Sequence, residues 1–264
     1  MNLMRRFVKC YFHYNTYYRF EFIMQFIRDA LMMYCNYKLW NVLYQYGMNA
    51  GDMERIQMVT YGVFGAVVTT FITRDGCQKY VRDRIRQGTI DGELLRPVDL
   101  QVHMLMRDLS QKLSKLLLFT LPTLCIFILA ARLFFVPEPE HVILFIISLP
   151  LAYFTLFGVD YLLGMLCFKT LSIESISFAY TALISFFAGQ LIPLWMLPEW
   201  ARVLVDLLPF RCIFDIPMSI YIGRYSLEEA IEAIILQAIW GTVLWLVGKF
   251  SWKSIKQNVI SQGG

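Results

Sequence analysis

The residues able to do chemistry in this sequence are few and lie far apart. His13, His103 and His141 fall in three different regions, so no metal site is expected. Six cysteines (Cys10, Cys35, Cys77, Cys125, Cys167, Cys212) form no CxxC pair, and most fall in apolar runs, where Cys acts as a small hydrophobe. Glu228 and Glu229 are adjacent but lack a nearby His or basic partner. There is no HExxH, no GxSxG and no GxxxxGK[ST] phosphate loop; Gly248-Lys249 is followed by Phe250, so ATP cannot bind by that route. No catalytic constellation is expected. What remains is charge inside apolar sequence, above all Asp160 in LFGVDYLLGM. A carboxylate at membrane depth is costly. Asp160 should therefore line a substrate path or couple to protons, or else pair with another helix or lie near an interface. Arg28 and Asp29 stand about 100° apart on a helix; they are expected to mark an interface without pairing directly. Lys38 sits deeper, where its long stem can snorkel.

The chain around these residues is oily. Of 264 residues, 58% are hydrophobic and 17% charged, whereas a soluble domain carries charge on about a quarter. The 21 Phe and 15 Tyr suit membrane cores and their interfaces. The expected fold class is all-α integral membrane, in one domain over residues 1–264. The net charge of +4 is modest and calls for no nucleic-acid partner. MNLMRRFVKC is basic, but no clean apolar run with a small-residue cleavage site follows it, so no removable signal peptide is expected.

A spanning helix needs about 20 mostly apolar residues. Residues 56–73, 116–135, 142–168, 176–194 and 230–248 qualify clearly. Residues 22–46 do so weakly, interrupted by Arg28, Asp29 and Lys38. Six transmembrane helices follow, and the long runs argue against a β-barrel. Lys and Arg gather before Glu21, between Arg74 and Lys115, at Lys169 and in the tail, while PEPEH (137–141) and the stretch 192–229 are poor in them. The positive-inside rule then puts both termini in the cytoplasm. Residues 1–21 read as an amphipathic interfacial helix, with basic residues among Phe7, Tyr11, Phe12 and Tyr14.

Two stretches stand out from the oily background. GTIDGELLRPVD, 88–99, lies within a cytoplasmic region of residues 74–112. The preceding RDGCQKYVRDRIRQ reads as a charged helix that Gly88 can end; Pro97 fits the first turn of the next helix, which runs on into the membrane. The result is a rigid, charged elbow, longer than a mere connection requires, on which a cytoplasmic partner could dock. The second stretch lies within 189–228 and is punctuated by Pro193, Pro198, Pro209 and Pro217. Pro198 starts a short helix with Trp200, Val203, Leu204, Leu207 and Leu208 on one face and Glu199, Arg202 and Asp206 on the other. Broken helix at membrane depth needs shelter from protein or a watery cavity, so this segment is expected either to dip into the outer leaflet and shape a gate or to lie on the surface with interfacial Trp anchors.

Together these features resemble the short six-helix permeases of type-two ATP-binding-cassette exporters. GTIDGELLRPVD is similar to that family's cytoplasmic segment G-x-[IL]-D-x-x-L-L-R-P-[VL]. FFAGQLIPLWMLPEWARVLVDLLPF is similar to S-G-x-x-[IF]-P-x-x-x-[LM]-P-x-W…PF, with Ala188-Gly189 where Ser-Gly is common. The resemblance implies a coupling helix seated on a separate ATPase subunit through Arg82, Asp83, Arg86, Gly88, Asp91, Leu94, Leu95, Arg96 and Pro97. It implies an extracellular gate involving Gly189, Pro193, Pro198, Trp200 and Pro209. It further implies a second permease, the same or paralogous, no cofactor in this chain, ATP and Mg in the partner ATPase, and residence in the bacterial inner membrane. The competing readings are a polytopic membrane enzyme, for which Asp160 alone is too little, and a secondary transporter, which usually shows internal repeats. Composition names no substrate.

Overall fold

Backbone groups in lipid must bond within their own helix, and every regular element among the described residues is helical. The computed structural model describes residues 2–17, 19–47, 53–70, 72, 76–90, 92, 99–132, 135–168 and 174–256. The chain opens with α1 (Asn2–Tyr17) and α2 (Arg19–Gln45), then α3 (Arg55–Thr69) and α4 (Cys77–Arg86). α5 (Leu100–Lys115) passes through a π-turn at Leu116–Thr120 into α6 (Leu121–Ala131). α7 (Pro139–Leu166) and α8 (Glu174–Phe187) follow, then short α9 (Glu199–Asp206) and α10 (Asp215–Tyr221), and finally α11 (Leu227–Lys256).

Among the described residues, three stretches are long and apolar enough to cross a membrane: Leu100–Ala131, Pro139–Leu166 and Leu227–Ile255. Helices also form at the other three expected spans, but α3 has 15 residues and α8 has 14, while α2 is long and interrupted by charge. The helix expected over 176–194 stops at Phe187. Gly189, at φ +87, donates its N–H to Phe186 O, and Gln190 donates to Ser185 O at 3.1 Å. This Schellman closure needs a left-handed residue, and apolar periodicity alone does not register it. The span expected from residue 116 continues the helix expected after Pro97, which starts at Leu100 and is capped by Asp99, whose carboxylate accepts from the N–H groups of Gln101 and Val102.

α7 is the hub. It packs along α11, under α4 and against α10. Small residues let α7 and α11 approach closely, as membrane helices require where lipid offers no hydrophobic drive. A Cβ added at Gly158 would lie 2.6 Å from Leu244 Cβ, and one at Gly241 would lie 2.7 Å from the Phe154 ring. Leu244 Cβ is the root of its side chain, so the helices themselves must separate. Gly158→Ala is therefore expected to cost roughly 1–3 kcal/mol, read as a lowered melting temperature in detergent. The same change at exposed Gly92, where a Cβ meets open space, should leave the melt unchanged. A polar thread crosses this packing: the Ser148 hydroxyl donates to Gln237 Oε1 at 2.9 Å, and Gln237 Nε2 donates to Cys212 O at 2.8 Å.

α2 packs on α3 around Met33, Trp40, Met58, Val59 and Val63. Arg28 and Asp29, expected not to pair, form an ion pair at 2.8 Å. The Arg side chain is long enough to wrap around the helix, while Asp29 turns inward and accepts from the Thr120 hydroxyl at 3.1 Å. α1 lies along α5, with Phe7 edge-on to His103 at 5.6 Å between ring centroids.

Candidate functional site

The elbow is built from local rules and then fastened by packing. α4 closes with a complete Schellman motif: Gly88, at φ +64, donates to Ile85 O, and Thr89 donates to Arg84 O at 3.0 Å. Arg82, Asp83 and Arg86 lie on α4; Arg82 pairs with Asp83 at 3.0 Å, and Arg86 is exposed. Asp91, Leu94, Leu95, Arg96 and Pro97 lie outside the described residues. The other face of α4 is sunk into the bundle. Val81 and Cys77 are fully buried with Tyr161, Met165 and Cys167, and a Cβ on Gly164 of α7 would touch Gln78 Cα at 3.4 Å. Burial pushes the Cys77 thiol well above its ordinary pKa, so it stays neutral and serves packing.

The first residue of the elbow meets a buried charge cluster. Lys112 Nζ on α5 lies 3.1 Å from Asp108 Oδ2 and 3.9 Å from Asp160 Oδ2 on α7. All three side chains are almost wholly shielded. The Tyr153 hydroxyl donates to Asp108 Oδ2 at 2.8 Å, and the Tyr180 hydroxyl on α8 donates to Asp160 Oδ1 at 2.5 Å. Gly76, the N-cap of α4, stands so close that a Cβ there would fall 2.4 Å from Asp160 Oδ2. The positive end of the α4 dipole thus faces two carboxylates that share one lysine. Asp160 joins α4, α5, α7 and α8 at one point. It pairs between helices.

The outer segment is largely interior. Cys212, Ile213, Phe214, Ile216, Met218, Ile220 and Ile222 are buried and form, with Tyr61 and Leu156, the largest apolar cluster. Tyr61 donates its hydroxyl to Gly189 O at 2.7 Å, tying α3 to the end of α8. Gly189 and Pro193 are buried, Pro209 is half-buried, and Pro198 and Trp200 are exposed. α9 touches protein through Ala201 and Val205, while Trp200, Val203, Leu204 and Leu207 point outward. Arg211 pairs with Asp206 and donates to the Tyr225 hydroxyl at 3.1 Å, and that hydroxyl donates in turn to Asp215 Oδ2. Burial pushes the Asp215 carboxyl up to about 6, against the pull of Arg211 and Arg224.

The structure therefore brings Asp160 next to the start of the elbow and sets the residues expected to form a gate on the rim and flank of one buried plug. It also adds Asp108, Lys112, Tyr153 and Tyr180, which the sequence alone does not single out. Asp108 and Lys112 carry a signal in their i,i+4 spacing, acid before base. The two tyrosines carry none. Among the described residues, no group of His, Cys, Asp or Glu could hold a metal ion.

The sequence model of the family described as ABC-2 family transporter protein matches residues 30–263. No curated protein and no solved structure matches the chain. The matched span takes in five of the six expected spans, the elbow, the charge cluster, the buried outer segment and α2 from residue 30 onward. This chain thus belongs to the ABC-2 family of transporter proteins, as a multi-pass permease subunit of an ABC transporter.

Proposed function

We propose that this permease works as an exporter in the bacterial inner membrane, with six spans and both termini in the cytoplasm. A second permease, the same or paralogous, completes the substrate path with it. Separate ATPase subunits, which hold ATP and Mg, drive it by docking on the elbow. The observation that best supports this reading is the way the elbow is anchored. α4 begins against Asp160, closes rigidly at Gly88, and is followed by a helix that Asp99 caps and that runs unbroken from Leu100 to Ala131. Force applied to α4 reaches α7 and α5 through the packing of α4 against both. At the far end, the plug of residues 209–222 packs on α7 and α11, where movement of those helices can open or close a path.

The test is biochemical. The chain purified alone is expected to hydrolyse no ATP, and co-expression with its partner ATP-binding-cassette ATPase subunit should yield a stoichiometric complex that does. ATP turnover by the partner-free chain, or failure of any ATPase to co-purify, would sink this reading.

A further inference from the structure

We propose that the cleft between α1, α2, α4 and α5 holds the headgroup of an anionic phospholipid, with the acyl chains lying along the outer flank of α2. The cleft encloses about 550 Å³, within the range of small-molecule sites. Its polar wall presents Arg28, Lys79, Arg107 and Lys115 against two carboxylates, Glu21 and Asp83. Arg107 lies over the Tyr80 ring at 3.6 Å. A guanidinium stacked by its face can still offer its N–H edge to a phosphate.

The depth of the cleft selects a lipid. Lys115 is the last residue of polar α5, and the apolar run LLLFTLPTLCIFILAA starts directly after it. The cleft straddles this switch, with Tyr11 and Tyr14 at its polar side and Phe22 and Phe119 at its apolar side, their rings 4.9 Å apart. Met24 lines the cleft and also belongs to the exposed apolar flank of α2, with Phe20, Ile23, Ile27 and Leu31. Cations beside an apolar flank, at the level where a bilayer changes from headgroup to hydrocarbon, match a phosphodiester attached to two chains. A soluble phosphate would use the cations and leave the flank uncovered. The proposal needs only the membrane placement of the chain and is independent of ATPase docking.

The test uses the full chain in a neutral detergent, without any ATPase, given equal amounts of phosphatidylglycerol and phosphatidylcholine and followed by native mass spectrometry. Wild type should retain phosphatidylglycerol preferentially. Lys79→Ala with Arg107→Ala should lower that retention about tenfold or more, since each basic residue near a membrane surface contributes about fivefold. Lys253→Ala, which removes an exposed cation of α11 outside the cleft, should retain it as wild type does. Equal retention of the two lipids by wild type overturns the proposal without need of any variant, so a folding defect in the double variant cannot shelter it. Unchanged retention in a folded double variant overturns it too. Displacement of the lipid by an equal concentration of glycerol phosphate would assign the cleft to a soluble phosphate and likewise end the lipid reading.

Discussion

Lys112→Met is expected to lower stability by roughly 3–5 kcal/mol, the cost of leaving buried charge without its partner. Lys112 Nζ stands between Asp108 and Asp160, and all three are shielded from solvent. Without it, the compensation from the described residues includes the hydroxyls of Tyr153 and Tyr180 and the N-terminal end of α4. One carboxylate must then take up a proton or the helices must part. Either outcome loosens α5, α7 and α8 together, so the loss should appear as a large fall in melting temperature in detergent. The compensating variant isolates the cause: with Asp108→Asn and Asp160→Asn added to Lys112→Met, the site is neutral and most of the stability should return. A wild-type melt for Lys112→Met, or no rescue by the two Asn substitutions, would show that the lysine does not hold these helices together.

The second large effect lies in the elbow. Leu94→Asp with Leu95→Asp should leave membrane insertion intact and abolish export. These residues lie outside the described residues, so the expectation rests on GTIDGELLRPVD itself. On the proposed topology these two adjacent leucines lie outside the lipid, where a partner's cleft can bury them. Burying a Leu contributes roughly 1.5–3 kcal/mol, so removing both should weaken docking about a hundredfold or more. The readouts are ATPase co-purification and transport, measured on the same preparation, with detergent extraction from the membrane fraction as the control for insertion. A full complex with full transport in this variant would mean that the elbow is a solvated loop and that the ATPase seats elsewhere.

The sequence by itself determined the membrane class, the positions of the main helices and the helix end at Gly88. These are local properties. Transfer of an apolar run from water to lipid adds up residue by residue over about 20 positions, so α7 and α11 are legible from their own residues. A glycine that must turn left-handed, such as Gly88, likewise stops a helix by its own backbone. The tertiary structure alone decided three things. It tied the end of α8, closed locally at Gly189, to the Tyr61 hydroxyl of α3. It turned the apolar stripe of α9 outward and buried Ala201 and Val205 instead, with Asp206 paired to Arg211. It joined Asp160 to Lys112 and Tyr180, residues on three different helices. The physical reason is common to all three. A buried charge, a helix end or a lipid-facing stripe takes its energy from whichever partner the folded chain brings within a few ångströms, and the order of residues along one helix does not name that partner.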